Sequence, residues 1–216
     1  MEHIPDQLLG DPLPPEPLEI AGLWLAEAWK RRSVPNPNAM TLATSSPDGR
    51  PAARVVLCKE VTAIPGYLVF YTNYHSRKGL ELAANPRAAA VLHFDHLHRQ
   101  VRIEGVVQPA PAADSDAYFA SRALESRIGA WASDQSRPVA SRAALLEQVA
   151  AAARRFPDGN VPRPQHWGGY RLWADCVELW IEGTARVHDR ARWTRSLTAR
   201  PGGFQTGPWS ATRLQP

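Results

Sequence analysis

Apolar residues recur at helical spacing near the start of the chain and at strand spacing after it. Leu18, Ala21, Leu25 and Ala28 lie three or four residues apart, which predicts a helix over 17–32 with one apolar stripe. Pro17 suits the first turn of this helix, and the two prolines that follow residue 34 end it. From residue 39 onward, short β-rich segments alternate with Pro and Gly turns, a pattern typical of an antiparallel meander.

Strands outnumber helices along the rest of the chain. Further helices are predicted at 76–84, 112–121, 124–133 and 140–156, and strands at 39–45, 51–60, 67–72, 88–94, 100–108, 168–173, 177–183, 185–190, 193–197 and 209–214. This pattern predicts a mainly β fold with peripheral helices (α+β), a small closed barrel with helices packed outside it. Residues 1–16 are rich in proline and polar residues and are predicted to form an extended N-terminal arm, with 17–216 as a single domain.

Composition argues against several classes of protein. A chain of 216 residues buries a core without disulfides or a structural metal. Cys58 and Cys176 lie in apolar surroundings without a CxxC motif or a Cys/His cluster, so we expect reduced core cysteines and no metal site. No segment is apolar enough to span a bilayer and the N-terminus lacks a secretion signal, which predicts a cytoplasmic protein without a membrane partner.

The charge pattern favours small anionic ligands. The formal charge is +4, but basic and acidic residues are interspersed without a long basic stripe, so nucleic acid is not an expected partner. A nucleic-acid-binding module is an alternative that only the net charge favours. Lys30, Lys59 and Lys78 are the only lysines among 25 basic residues, which suggests that Lys59 and Lys78 serve where a compact ammonium is needed.

The segment 118–136 carries an aromatic hydroxyl, arginines, serines and an amide. In one continuous helix Tyr118, Arg122 and Ser126 fall at i, i+4 and i+8, so their polar tips share a face. A guanidinium and two hydroxyls are suited to phosphate oxygens, so we interpret these residues as a phosphate site. From this segment alone, a solvated helix face is the alternative.

Cations in a predicted strand are a second candidate for ligand binding. Arg54 and Lys59 have opposite parity, so in an ideal strand they point to opposite faces and serve two different ligands. The alternative is that both are simply exposed surface residues.

A third candidate lies where a strand ends and a helix begins. Ser76, Arg77 and Lys78 start the predicted helix, whose free N–H groups add positive potential, and Tyr71 and Thr72 precede them. We interpret this group as a second phosphate site, with Ser76 also suited to cap the helix.

The segment 180–190, WIEGTARVHDR, predicts a hairpin with its turn at Glu182-Gly183. Arg186, His188 and Arg190 alternate along the second strand and share one face, which crowds like charges unless an anion or a ring joins them. Histidine has an intrinsic pKa near neutrality, so His188 is a candidate for proton transfer, or alternatively orients a ligand by hydrogen bonding.

Two amide side chains are further candidates for ligand binding, and several known motifs are missing from the sequence. Gln100 and Gln135, with Ser136, suit the edge of a flavin or pyrimidine ring because amides both donate and accept hydrogen bonds. The chain contains no G-x-G-x-x-G, P-loop, G-x-S-x-G or HExxH motif, so Rossmann, P-loop and metal-hydrolase functions lose support.

Taken together, six segments resemble the pyridoxine/pyridoxamine 5'-phosphate oxidase family in their order and spacing. They are RVVLCK, YTNYHSRKG, RQV, YFASRALESRIGAWASDQS, HWGGYRL and ELWIEGTARVHDR. The resemblance covers residues 12–216, and the last two segments are the most specific, since the strand motifs also occur in other FMN-binding split barrels. It implies an FMN-binding split β-barrel and a homodimer with FMN at the subunit interface.

The resemblance also implies roles for the matching residues. The expected FMN-binding residues are Arg54, Val55, Val56, Leu57, Cys58, Lys59, Tyr71, Thr72, Arg77, Lys78, Gln100, Gln135, Ser136, Trp180 and Arg190. The residues expected to hold the phosphate and ring of the B6 vitamer are Lys59, Tyr118, Arg122, Ser126, Arg186, Val187 and His188. Of these, Arg186 and His188 are the expected catalytic residues, and the base between them is not assigned.

The implied reaction moves a hydride from C4' of pyridoxine 5'-phosphate or pyridoxamine 5'-phosphate to N5 of FMN and yields pyridoxal 5'-phosphate. Dioxygen, the other partner, reoxidises the flavin and gives hydrogen peroxide, with ammonia released from the amine. The alternatives are a related flavin oxidase acting on a phenazine precursor and a non-catalytic carrier of FMN or pyridoxal 5'-phosphate.

Two positions depart from the family pattern. The N-terminal arm lacks an Arg-x-x-Tyr element that closes over substrate in some members. Cys58 replaces the usual aliphatic residue, an apolar change that we expect to be tolerated and to add sensitivity to oxidation.

Overall fold

The computed structural model describes residues 9–216. In that range the helices are α1 (Pro17–Arg31), α2 (Arg77–Ala84), α3 (Ala112–Ala120), α4 (Leu124–Ala132) and α5 (Arg142–Arg154). The strands are β1 (Ala39–Ser45), β2 (Pro51–Leu57), β3 (Glu60–Thr62), β4 (Tyr67–Asn73), β5 (Arg87–Phe94), β6 (Arg99–Pro109), β7 (Trp167–Ile181), β8 (Asp189–Thr194), β9 (Leu197–Arg200), β10 (Gly203–Thr206) and β11 (Ser210–Leu214). The predicted mainly β fold with peripheral helices is confirmed.

One antiparallel sheet of nine strands forms the body of the molecule. Its strands follow the order β11-β8-β7-β6-β5-β1-β2, with β4 added beside β7 and β3 beside β4, while β9 and β10 form a separate hairpin. The sheet curls around a core in which Phe70, Phe94 and Trp193 are almost fully buried. Within residues 9–216 no ladder joins β2 to β3 or β4, so the barrel is split and the prediction of a closed barrel is wrong.

The long strand β7 organises the sheet because it changes partners halfway along. Its first half pairs with β4 and its second half with β8, while β6 runs beside it throughout. Asp175 is the extra residue of a bulge opposite Glu104 and Gly105, where the partner changes. The predicted strands at 168–173 and 177–183 are therefore one strand, since the bulge bends β7 without ending it.

Helix α1 covers the core as its apolar stripe predicts. Leu18, Ala21 and Ala28 are buried, and Trp24 joins them, whereas Leu25 is only partly buried. Residues 9–16 form neither helix nor strand and are tied to the sheet, since the Leu9 N–H donates to Asp189 Oδ2 at 2.5 Å. The rest of the predicted arm, residues 1–8, lies outside the described residues, and the division into an arm and one domain stays a prediction.

Three predicted strands have different limits in the structure. The strand predicted at 193–197 is divided between β8, which ends at Thr194, and β9, which begins at Leu197. The strand predicted at 51–60 ends at Leu57, because the Cys58 N–H bonds to Asn38 O at 2.9 Å and the chain then turns into β3. The strand predicted at 185–190 is instead a 3-10 turn at Thr184–Arg186, and β8 begins only at Asp189. Ala185 and Arg186 both have positive φ (55° and 65°), which a continuous strand does not allow.

Candidate active site

Helix α2 begins directly after β4 in a tight turn that gathers polar groups. Ser76 caps the helix, since its Oγ accepts from the Gly79 N–H at 3.3 Å and donates to Asn73 O at 2.7 Å, so the predicted cap is confirmed. A Cβ on Gly79 would lie 2.1 Å from the carbonyl oxygen of Tyr74, so only glycine lets the helix start this close to the strand.

Five of the predicted cofactor residues meet at this helix start, and we refer to them as the α2 cluster: Arg54, Thr72, Arg77, Lys78 and Gln135. The Lys78 ammonium donates to Gln135 Oε1 at 2.7 Å and to Thr72 Oγ1 at 3.1 Å. Burial, and then the nearby Arg54 charge, lower the pKa of Lys78 to about 8, although Glu81 opposes the shift. A desolvated ammonium bonded to neutral oxygens is suited to receive an anion.

Arg54 reaches the same place from β2. Its Nη1 donates to Thr44 Oγ1 at 2.6 Å and to Leu42 O at 3.2 Å, and its Nη2 donates to Glu81 Oε2 at 3.1 Å. Arg77 binds the other oxygen of the same carboxylate, with Nε 2.8 Å from Oε1. The family resemblance implied that both Arg54 and Arg77 bind FMN, but the sequence prediction did not include Glu81 and Thr44.

A cavity of about 500 Å³ lies beside the α2 cluster. Its lining residues include Arg77, Glu81, His75, Ser136 and Arg137. Ser136 follows Gln135 in the turn after α4 and has a left-handed backbone, with φ of 73°, which is uncommon for a residue other than glycine. Of the predicted pair, Gln135 therefore contacts the Lys78 ammonium, whereas Ser136 lines the cavity.

The strand residues predicted to bind FMN lie in different environments. Val55 is exposed (66%), Val56 and Leu57 are partly buried, and Cys58 is buried just beyond the strand. Burial raises the pKa of the Cys58 thiol to about 12, and Glu60 O accepts a hydrogen bond from its Sγ at 3.3 Å. Burial therefore acts against the expected sensitivity of Cys58 to oxidation, because it disfavours the thiolate, which is the reactive form.

Lys59 lies outside the strand that holds Arg54, so their predicted opposite parity within one strand is wrong. Its N–H bonds to Val69 O at 2.8 Å, which turns the chain toward β4. Its exposed side chain reaches Tyr118, with Nζ 5.5 Å from the ring centroid. The two cations still serve different places, as the sequence predicts.

Three parallel rings, here called the aromatic stack, lie on the other side of β4: Tyr118, Tyr71 and Trp167. Tyr71 is stacked on Tyr118 at a centroid distance of 4.0 Å and on Trp167 at 5.5 Å. Tyr71 and Thr72 are neighbours in β4, so one points to the stack and the other to the α2 cluster. The sequence prediction did not include Trp167.

Arg122 lies against this stack, and within residues 9–216 it forms no ion pair. Its guanidinium carbon is 4.7 Å from the Trp167 ring centroid, and its Nη1 is buried with no hydrogen-bond partner among the described residues. Burial lowers the pKa of Arg122. A buried donor atom without an acceptor is costly, so the unpaired Nη1 of this partly buried side chain favours an anionic ligand.

The face that Tyr118, Arg122 and Ser126 would share in one continuous helix does not form, because the helices predicted at 112–121 and 124–133 are separate in the structure. Helix α3 ends at Ala120 and α4 begins at Leu124, with Ala123 in an extended conformation between them. Tyr118, Arg122 and Ser126 therefore do not share one helix face, and Ser126 is exposed on α4. Of the three, only Tyr118 and Arg122 lie at the aromatic stack: Tyr118 is one of its rings, and Arg122 packs on the ring of Trp167.

The remaining predicted cofactor residues form one row across three strands, here called the hairpin row. Gln100 on β6 pairs with Trp180 on β7, and Trp180 pairs with Arg190 on β8. Arg190 donates to Glu178 Oε1 from Nη2 at 2.8 Å and from Nε at 3.2 Å, and the other oxygen of Glu178 accepts from Arg102 at 3.1 Å. Glu178 is another functional-site neighbour that the sequence prediction missed.

The predicted face of Arg186, His188 and Arg190 on one strand is wrong, since only Arg190 lies in β8. Arg186 and Val187 are exposed in the turn. His188 packs on Trp180 at a centroid distance of 4.7 Å, and its Nδ1 accepts a hydrogen bond from the Gly183 N–H at 3.1 Å. When the ring is neutral, this bond leaves the proton on Nε2, which then acts as a donor.

The hairpin row and the α2 cluster lie at opposite ends of β7. Thr72 pairs with Gly168, whereas Trp180 lies near the other end of the same strand. At about 3.3 Å per residue, these two positions are roughly 35–40 Å apart along β7. Within one chain the two groups are therefore separate.

Two kinds of feature are absent from residues 9–216. No group of three or more His, Cys, Asp or Glu side chains there is placed to hold a metal ion, and no helix there is both long and apolar enough to cross a membrane. Cys58 is buried and Cys176 is partly buried, and both are free thiols.

Comparison with known proteins shows which family this chain resembles. Residues 26–155 match the family model described as pyridoxamine 5'-phosphate oxidase, and residues 167–216 match a pyridoxine 5'-phosphate oxidase C-terminal dimerisation region. A pyridoxine/pyridoxamine 5'-phosphate oxidase of Burkholderia orbicola is 50% identical over 94% of this chain and 90% of its own length. One of Gluconobacter oxydans is 46% identical over 93% of this chain and 94% of its own.

Solved structures show the same fold. PhzG from Burkholderia lata, crystallised with tetrahydrophenazine-1-carboxylic acid, is 30% identical with a TM-score of 0.86 and covers 99% of this chain and all (100%) of its own. A pyridoxamine 5'-phosphate oxidase-related, FMN-binding protein of Nostoc punctiforme is 20% identical, has a TM-score of 0.66, and covers 89% of this chain and 95% of its own. The matches to both family models and to relatives of near-equal length show that the chain belongs to the pyridoxine/pyridoxamine 5'-phosphate oxidase family.

Proposed function

We propose that this protein oxidises pyridoxine 5'-phosphate and pyridoxamine 5'-phosphate to pyridoxal 5'-phosphate with FMN and dioxygen. The observation that carries the proposal is Arg122 Nη1, which is buried beside the aromatic stack and has no hydrogen-bond partner among residues 9–216. A phosphorylated pyridine has the two parts that this place accepts, an anionic tail for Arg122 and Lys59 and a flat ring beside Tyr118.

The α2 cluster fits the phosphate of FMN. Lys78 has a lowered pKa and neutral hydrogen-bond partners, and Arg54 and Arg77 lie next to it. We assign the phosphate to these residues, with Thr72, Gln135 and Ser136 adding neutral contacts. Bound FMN supplies the acceptor for two electrons, which the protein side chains themselves lack.

The protein's own work is to position the substrate and to control protons. One anion site holds the phosphate of the substrate and the other holds the phosphate of the cofactor, so together they fix the distance between the two molecules. Such positioning is the main contribution to catalysis that we expect from the protein. Arg186 and His188 stay the proposed catalytic residues. Because the Gly183 N–H occupies Nδ1, neutral His188 presents Nε2–H, so we assign it to hydrogen-bond donation rather than to removal of a proton.

The separation of the hairpin row from the α2 cluster supports a homodimer with composite sites. Trp180 and Arg190 lie in the segment that matches a dimerisation region. We propose that the hairpin row of one subunit completes the FMN site around the α2 cluster of the other. Sedimentation of the holoprotein tests this proposal, because a monomer with full FMN occupancy contradicts it.

The similarity to PhzG favours a second candidate function, the oxidation of a phenazine precursor. Arg122 can pair with a carboxylate, such as that of tetrahydrophenazine-1-carboxylic acid, as well as with a phosphate. We favour the B6 vitamers because the pyridoxine/pyridoxamine 5'-phosphate oxidases are 46–50% identical to this chain, whereas PhzG is 30% identical. Purified holoprotein is incubated with pyridoxine 5'-phosphate while aldehyde and hydrogen peroxide are measured. Formation of neither product refutes the B6 assignment, and flavin bleaching by the substrate under anaerobic conditions excludes a mere carrier.

A further inference from the structure

A buried carboxylate lies among the cations of the α2 cluster. Glu81 is only 5% exposed and lies on α2 one turn beyond Arg77. Its Oε1 accepts from Arg77 Nε at 2.8 Å, and its Oε2 accepts from Arg54 Nη2 at 3.1 Å and from the Thr44 hydroxyl. Each carboxylate oxygen therefore holds an arginine from a different element of the fold.

A negative charge in this place is unexpected at a site for an anion. By Coulomb's law it weakens phosphate binding, and its burial costs free energy unless its partners compensate. Burial raises the pKa of Glu81, but the hydrogen bonds from Thr44, Arg77 and Arg54 outweigh that effect, so its pKa lies below the ordinary value. Glu81 is thus charged at neutral pH and stays close to the proposed phosphate site.

The charges of the cluster show what the carboxylate contributes. Arg54, Arg77 and Lys78 are three cations, and Glu81 reduces their sum to a net charge of two, which matches a phosphomonoester dianion above its second pKa of about 6. Arg54 and Arg77 repel one another. The shared carboxylate accepts a hydrogen bond from each, and Leu42 O and Thr44 Oγ1 also hold Arg54.

We propose that Glu81 is a positioning residue, which holds Arg54 and Arg77 in the directions that bind the phosphate of the cofactor. This role rests on the proposed function, since it presupposes FMN. It differs from simple electrostatics in the sign of its effect, because positioning strengthens phosphate binding whereas a nearby negative charge weakens it.

The test compares FMN with riboflavin, which has the same ring system and no phosphate, by titrating apoprotein and following flavin fluorescence. In Glu81→Gln the affinity for FMN is expected to fall about tenfold, the loss of one charge-assisted hydrogen bond, while the affinity for riboflavin changes less than about twofold. Unchanged or tighter FMN binding overturns the proposal, since removal of a competing charge alone strengthens binding.

Glu27 offers a matched control. It also binds two arginines, with Oε1 2.7 Å from Arg31 and Oε2 2.6 Å from Arg99, but it lies on α1. Glu27→Gln is expected to leave the ratio of FMN to riboflavin affinity unchanged, and an equal fall in that ratio would make the Glu81 effect unspecific and overturn the proposal.

A milder variant keeps the test valid if Glu81→Gln does not fold. Thr44→Val removes only the hydroxyl between Glu81 and Arg54, and a fall of about threefold in FMN affinity is expected. Unchanged affinity in a folded Thr44→Val protein then overturns the role. Failure of the unaltered protein to bind FMN at all overturns the proposed function together with this role, so the two failures are distinguishable.

Discussion

If the α2 cluster binds the phosphate of FMN as proposed, the lowered pKa of Lys78 is expected to make FMN affinity depend on pH above neutrality. In the free protein Lys78 loses its proton near pH 8, whereas beside a phosphate dianion its pKa returns to its ordinary value of 10.5 or higher. Between these values the complex carries one proton more than the free protein, so binding takes up a proton and weakens as pH rises. The phosphate is already a dianion there, since its second pKa is about 6.

The size of the effect follows from the two pKa values. Between pH 7 and pH 9.5 the dissociation constant for FMN is expected to rise about 10- to 30-fold, the lower figure because water partly screens a half-buried ammonium. The sign for stability is opposite: between about pH 8 and 10.5 the unfolded chain binds more protons at Lys78, so the free protein becomes more stable as pH rises through this window.

Fluorescence titration of apoprotein at several pH values measures this dependence. Riboflavin is the control ligand, because it has the same ring without the phosphate and should show no such trend. Lys78→Met should bind FMN more weakly at pH 7 and lose the pH dependence. A dissociation constant that stays within about twofold from pH 7 to 9.5, or an equal trend with riboflavin, refutes the reasoning.

Three substitutions test other parts of the site. Arg122→Ala should raise the KM for pyridoxine 5'-phosphate about 10- to 100-fold with FMN retained, as loss of a charge-assisted phosphate contact requires, and an unchanged KM in steady-state assays contradicts the assignment. Arg190→Ala should weaken FMN binding about tenfold in equilibrium titration, and full flavin occupancy at low protein concentration counts against its role. His188→Gln keeps a side-chain donor but has no base, so its kcat should fall less than about tenfold, and a loss of about a thousandfold would show that His188 removes a proton.

Much of the fold follows from local patterns in the sequence. The apolar stripe of α1 and the turn residues between β1, β2 and β4 act over a few residues, so their spacing is enough to predict these elements. The course of β7 depends instead on contacts with strands distant in sequence. The bulge at Asp175 leaves no local pattern, and the sequence therefore predicted two strands where there is one.

The site shows the same division between local and distant causes. The start of α2 was predictable because the cap and the two cations are consecutive residues. The contact of the Arg122 guanidinium with Trp167 was not, because Trp167 lies far along the chain. Glu81, Glu178 and Trp167 gain their importance only from partners that folding brings to them.

The burial of Cys58 has a consequence under the proposed function, which releases hydrogen peroxide. With a pKa of about 12, only roughly one thiol in 100,000 is ionised at pH 7, and peroxide attacks the thiolate form. Cys58 follows β2, which carries the proposed cofactor residue Arg54, and its burial shields it from this by-product. Repeated catalytic cycles should leave this side chain unmodified until the local structure around it opens.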